Sequence, residues 1–106
     1  MRSRTARLDF DLIAKLHAAV GVPLVLHGSS GIPNAALRTA VVRGMTKINI
    51  GTLINIAFTD SIRTTLDADP AVFDPRRYLG SARRAAAVVI ADCMRAISGD
   101  DLPVPR

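Results

Sequence analysis

The 106-residue sequence contains no glutamate, one tyrosine, three phenylalanines and a single cysteine. One cysteine excludes an intrachain disulfide framework. Cys93 lies in an Ala/Val/Ile-rich helical stretch and reads as a buried structural thiol rather than a nucleophile. Aromatic residues make up 4% of the chain and are not interleaved with basic ones, which counts against the stacking platform of a single-strand nucleic-acid binder. No apolar run is long enough to cross a membrane. The basic start, Met1 to Arg7, is not followed by an apolar core of the signal-peptide kind. The expected location is therefore cytoplasmic, with neither membrane nor nucleic acid among the partners.

Hydrophobic residues make up 49% of the chain and charged residues 22%, a globular balance rather than a disordered one. The length fits one domain or part of one. Twelve arginines and two lysines against nine aspartates give a net charge of +5. That surplus is compatible with phosphate or nucleic-acid ligands. The arginines are scattered along the helical stretches, however, and most of them read as a solvated surface.

Residues 1–7 are polar and basic and are expected to be disordered or frayed. Leu12, Ile13, Leu16, Ala19 and Val20 then recur at helical spacing, with Asp9 or Asp11 near the positive end and Gly21 as the stop. Pro23 opens a short apolar strand through Leu26. Asn34 is placed to open a second helix carrying Leu37, Ala40 and Val41, which Gly44 ends. Met45 to Ile50 reads as a second strand and Thr52 to Leu66 as a third helix. Asp67-Ala68-Asp69-Pro70 breaks that helix, and Asp74-Pro75 marks a new helix start. An Ala-rich helix runs to about Ile97, and 99–106 form a Pro-containing tail. This α-β-α-β-α-α order is that of a parallel α/β fold. Two parallel strands cannot cover both of their own faces, so the pattern is that of a piece of a larger fold.

The informative stretch is Pro23-Leu24-Val25-Leu26-His27-Gly28-Ser29-Ser30-Gly31-Ile32-Pro33. A buried strand ends on His27 and enters a Gly/Ser turn ahead of a helix. Gly28 and Gly31 let the backbone turn sharply and approach a ligand. Ser29 and Ser30 offer hydroxyls and amides beside the positive end of the following helix. Lys47-Ile48-Asn49-Ile50-Gly51-Thr52 repeats the arrangement on the next strand. Helix caps in any parallel fold use the same residue types. Their occurrence on consecutive strands favours a phosphate site formed by Gly28, Ser29, Ser30, Asn49, Ile50, Gly51 and Thr52, with a metal-competent His27 beside it. Arg76, Arg77, Arg83 and Arg84 are alternatives for a second phosphate but read better as solvated or capping residues.

These two turns, together with Leu8-Asp9-Phe10-Asp11 before them and Ile56-Ala57-Phe58-Thr59 and Asp74-Pro75-Arg76-Arg77-Tyr78-Leu79-Gly80 after them, resemble the class II, metal-dependent ketose-bisphosphate aldolases. The fructose- and tagatose-bisphosphate branch is the most similar. The resemblance implies a (β/α)8 TIM barrel, with residues 8–98 forming its C-terminal portion, the last two strands and their helices. A whole barrel takes roughly 250 residues. It also implies a zinc ion held by three histidines, of which only His27 has a counterpart here, and no catalytic acid within this chain. Two departures from the family pattern stand out. The turn reads Gly28-Ser29-Ser30 where Gly-Gly-Ser or Gly-Ala-Ser is usual. Leu53 stands where an acidic residue is common.

The leading functional expectation is the C-terminal part of a zinc-dependent ketose-bisphosphate aldolase, inactive by itself. The parent reaction is reversible cleavage to dihydroxyacetone phosphate and an aldehyde phosphate. Expected partners are a sugar bisphosphate or dihydroxyacetone phosphate, and further copies of the chain associating through exposed barrel faces. The alternative is a noncatalytic phosphate-binding or scaffold remnant of a truncated gene.

Overall fold

The computed structural model describes residues 3–99. Helix α1, Phe10–Ala19, follows Asp9, which keeps an extended backbone while its Oδ1 accepts the Leu12 N–H at 3.0 Å. Strand β1, Leu24–Leu26, leads into a 3-10 turn, η1, at Ser29–Gly31. Helix α2, Asn34–Arg43, carries the chain back to strand β2, Met45–Ile48, and helices α3, Thr52–Ala68, and α4, Pro75–Ser98, follow. The strands pair in parallel, Leu24 with Met45, Val25 with Lys47 and Leu26 with Ile48, with an irregularity between Leu24 and Val25. Parallel pairing brings both carboxyl ends to one edge of the sheet. That edge is where His27 and Asn49 emerge.

Ile13, Ile32, Leu37, Ala40, Ala82, Ala86 and Cys93 form the buried core. α2 packs on α1 and on α4. The buried residues of α4, Ala82, Ala86 and Cys93, are all small. α3 lies along α4 yet buries none of its own residues fully. The apolar stripe of α1 is largely uncovered, with Leu12 50% and Leu16 42% exposed, and Val88 and Met94 of α4 stand further out still. The radius of gyration is 17.0 Å, against about 13 Å for a compact domain of this length. The result is an α/β unit with a two-strand parallel sheet and open apolar faces.

The Gly/Ser turn takes the form of the 3-10 turn η1, closed by the Ile32 N–H on the Ser29 carbonyl at 3.1 Å. Three local expectations are revised. β2 ends at Ile48, and beyond it the Asn49 N–H still reaches the Leu26 carbonyl at 2.9 Å. Asn34 does not cap α2; Pro33 holds that position, and the Asn34 Nδ2 donates instead to Asp92 Oδ2 of α4 at 2.8 Å. The amino-terminal stretch read as frayed is tied down where it is described. Arg4 donates to the Ile32 carbonyl and the Ala6 N–H to the Gly31 carbonyl. Residues 1 and 2, and the tail after Gly99, lie outside the described residues.

Gly44, between α2 and β2, has φ +130°, and a Cβ there would sit 2.5 Å from His17 Cγ and 2.6 Å from His17 Cβ. Gly44→Ala therefore combines backbone strain with a clash, and a loss of about 1–3 kcal/mol is expected. Urea unfolding of the two chains measures it. Adding His17→Ala relieves the clash but not the strain, so the double variant should recover only part of the loss. Equal midpoints for Gly44→Ala and the parent would contradict the left-handed turn.

Candidate functional site

Two turns meet at the carboxyl edge of the sheet. The first, after β1, is set by Gly28, whose φ of +64° carries the backbone from the strand into η1. The second, after β2, runs through Asn49 and Ile50 to Gly51, the residue before α3. Backbone bonds join the two: Asn49 N–H to the Leu26 carbonyl, and Ser29 N–H to the Asn49 carbonyl at 3.4 Å. Between them lies an open cleft of about 670 Å³ lined by Gly28, Ser29, Ser30, Ile48, Asn49, Ile50, Gly51 and Thr52. All seven residues assigned to a phosphate site from the sequence border it, and Ile48 is the one addition.

The residues contribute unequally. Ser29 is completely buried, and its hydroxyl, read from sequence as facing a ligand, donates instead to the Leu26 carbonyl at 3.3 Å. With its N–H bonded to Asn49 as well, Ser29 fastens the two strand ends. Ser30 Oγ accepts the Leu53 N–H at 2.9 Å. It thereby caps α3 from another element, where Gly51 has no side chain to do so. The hydroxyl proton of Ser30 remains available to a ligand. The first N–H groups of a helix have no partner within it. Ser30 takes that of Leu53, and exposed Thr52 carries the neighbouring one at the cleft. Gly51 leaves the mouth open, since a Cβ there would meet nothing within 4 Å.

The helix whose positive end borders the cleft is α3. The sequence pointed to α2, but η1 and Pro33, which has no N–H, intervene, and no residue of α2 lines the cleft. The cleft also contains no carboxylate and no cationic side chain. Hydroxyls, backbone N–H groups and the α3 dipole are what these lining residues offer to a ligand.

His27 is exposed beside the cleft, with Nδ1 3.0 Å from Asn49 Nδ2. In this orientation Asn49 donates to Nδ1, which leaves the proton of a neutral ring on Nε2. With the amide turned over, Nδ1–H becomes the donor and the Nε2 lone pair is free to bind a metal. Among the described residues no group of three or more His, Cys, Asp or Glu side chains comes together in a metal-binding arrangement. The described residues therefore do not make a metal site by themselves.

The remaining sequence candidates lie elsewhere. Arg76 pairs with Asp74 at 2.7 Å and holds that carboxyl below the usual carboxylate range, chiefly through the side-chain hydrogen bond. Arg77 pairs with Asp69 at 3.2 Å and Arg84 donates to Ser81, so these arginines serve the α3–α4 turn and the α4 surface. Cys93 is buried, and burial pushes its thiol up against the opposing pull of the Arg4 charge, as suits an inert thiol. The His27–Asn49 contact and the Ser30 cap on α3 had no separate signature in the sequence. Both depend on the register of two strands that are 22 residues apart along the chain.

The fructose-bisphosphate aldolase class-II family matches residues 1–101 of the chain. A fructose-bisphosphate aldolase of Geobacillus stearothermophilus is 40% identical over 89 residues, which are 84% of this chain and 31% of that protein. A probable fructose-bisphosphate aldolase of Bacillus subtilis is 40% identical over 88 residues, 83% of this chain and 31% of that protein. The crystal structure of the YdjI aldolase from Escherichia coli K12 superposes with a TM-score of 0.65 at 31% identity, over 88% of this chain and 32% of that one. The chain thus spans about a third of the length of these relatives. No helix among the described residues is long and apolar enough to cross a membrane.

Proposed function

The chain belongs to the class-II fructose-bisphosphate aldolase family, and from that premise we propose that it forms the carboxyl-terminal portion of an aldolase (β/α)8 barrel and contributes the binding site for the phosphate of a ketose bisphosphate. The observation that carries this reading is the single cleft formed by two consecutive strand-to-helix turns. A phosphate dianion there receives the Ser30 hydroxyl, the Thr52 hydroxyl and the first N–H groups of α3. Asn49 holds His27 with one amide atom and keeps the other for a substrate oxygen. His27 contributes one ligand to a zinc site whose other ligands lie outside this chain. The parent reaction is aldol cleavage to dihydroxyacetone phosphate and an aldehyde phosphate, in the cytoplasm.

Open apolar faces on α1 and α4 support association with the rest of a barrel or with further copies of the chain. The phosphate assignment is tested by titrating the isotopically labelled chain with dihydroxyacetone phosphate and following its amide resonances. The expected result is saturable movement confined to Ser30, Gly51 and Thr52 and their neighbours, with little change at Asn34 and Arg95. Movement spread over the arginines of α4, with the two turns silent, contradicts it.

A further inference from the structure

The stretch before α1 has no role in the site described so far, yet it touches that site from behind. The Ala6 N–H donates to the Gly31 carbonyl at 3.0 Å, and a Cβ built on Gly31 would lie 3.6 Å from the Ala6 Cβ, so the two backbones are in van der Waals reach. The half-buried Arg4 donates from one terminal nitrogen to the Ile32 carbonyl. Its Nε is buried with no partner. Ser3 and Arg4 then join Ser30, Gly31, Thr52 and Leu53 around a second, smaller cavity of about 170 Å³. Ser30 and Thr52 border both this cavity and the cleft.

A 3-10 turn of three residues closed by one 3.1 Å bond is weak by itself. Two further bonds, from Arg4 and Ala6, land on its last residue and on the residue after it. Ser30, one position earlier, must keep its Oγ on the Leu53 N–H at 2.9 Å while presenting its proton to the cleft. Small displacements of η1 would break that double role.

We infer that residues 3–6 form a strap that fixes η1 from behind, with Arg4 and Ala6 as positioning residues for the Ser30 hydroxyl and the α3 amides. The inference rests on the phosphate reading of the cleft. Neither residue touches the anion in this account. Arg4 acts through the Ile32 carbonyl and Ala6 through the Gly31 carbonyl.

Two variants of the full chain separate the strap from a simple charge effect. Arg4→Ala removes the side-chain donor together with a positive charge. Ala6→Pro removes the backbone N–H without changing the charge, while also fixing φ at that residue. Each is expected to weaken dihydroxyacetone phosphate binding about tenfold, the equivalent of about 1.4 kcal/mol. Because both act on the same turn, the double variant should bind scarcely more weakly than the poorer single one. Arg4→Lys keeps a donor of similar reach and should recover most of the loss. Hydrogen exchange of the Ile32 amide, which closes η1, gives a readout that needs no ligand and should accelerate at least tenfold in both single variants. A loss in Arg4→Ala alone, with Ala6→Pro like the parent, overturns the strap and leaves long-range charge as the cause. Unchanged Ile32 exchange in both variants also overturns it, whether or not phosphate binds. If the parent chain binds no dihydroxyacetone phosphate while Ile32 exchange accelerates as expected, the phosphate reading fails and the strap stands as a brace on η1 alone.

Discussion

Purified as it stands, the 106-residue chain is expected to show no measurable cleavage of fructose or tagatose bisphosphate, with or without added zinc. Enzymes gain a millionfold or more over the uncatalysed reaction, and the described residues lack what such a gain requires. A catalytic zinc site uses about three protein ligands and one open position. His27 is a single ligand, and no cluster of three or more such groups forms among the described residues. General acid–base catalysis needs a titratable side chain within hydrogen-bond reach of the reacting atoms. The cleft is lined by glycine, serine, threonine, asparagine and isoleucine. None of these lining side chains is an acid or base near neutral pH, and His27 beside the cleft is read as a metal ligand. Joining the chain to the amino-terminal two-thirds of the Geobacillus stearothermophilus relative is expected to give zinc-dependent cleavage, and to cover apolar side chains such as Leu12, Leu16 and Val88 that are exposed here. Turnover by the chain alone, surviving repurification and lost in His27→Ala, would overturn this expectation.

Part of the fold was legible in the sequence because local chemistry determines it. Gly28 at a sharp turn and Asp74-Pro75 at the start of α4 are short-range devices, and each forms as its residue type favours, while the Asp9 cap was legible only as an acidic residue, Asp9 or Asp11, near the positive end of α1. The end of β1 was legible because an apolar run followed by a small polar turn leaves few alternatives, whereas β2, with Thr46 and Lys47 in its run, was read on to Ile50 and stops at Ile48. Features that depend on a partner distant in sequence were not legible. Nothing local to Ser29 indicates that its hydroxyl turns inward to Leu26 while that of Ser30 crosses to α3. The diversion of Asn34 from capping to Asp92 requires α4, 58 residues later, to be in place. The strap at Arg4 and Ala6 is of the same kind. Its stretch is polar and without periodicity, so its hydrogen bonds to η1 leave no trace in the pattern.

In the same joined enzyme, substitutions at the strand ends should separate into two classes, the second large effect expected here. Ser30→Ala and Thr52→Ala each remove a hydroxyl donor to a charged acceptor, worth on the order of 1.5–3 kcal/mol. That corresponds to roughly ten- to a hundredfold in the affinity for a dihydroxyacetone-phosphate analogue, with zinc content unchanged. Ser30→Ala should show the larger loss, because it also leaves the Leu53 N–H at the start of α3 without its cap. His27→Ala should do the reverse. With two protein ligands left of three, zinc is lost and turnover with it, while the phosphate end of the analogue keeps its contacts. The separation follows from geometry: Ser30 and Thr52 border the cleft, and His27 stands beside it, held through Asn49 at 3.0 Å. Asn49→Ala therefore belongs between the classes, lowering zinc affinity by about tenfold or more, as loss of an orienting partner does, together with a loss in analogue binding. Metal analysis and analogue titration on all four variants decide the matter. Ser30→Ala and Thr52→Ala that bind the analogue as tightly as the parent would reduce the two turns to helix caps. His27→Ala that retains a full equivalent of zinc would remove the histidine from the ligand set.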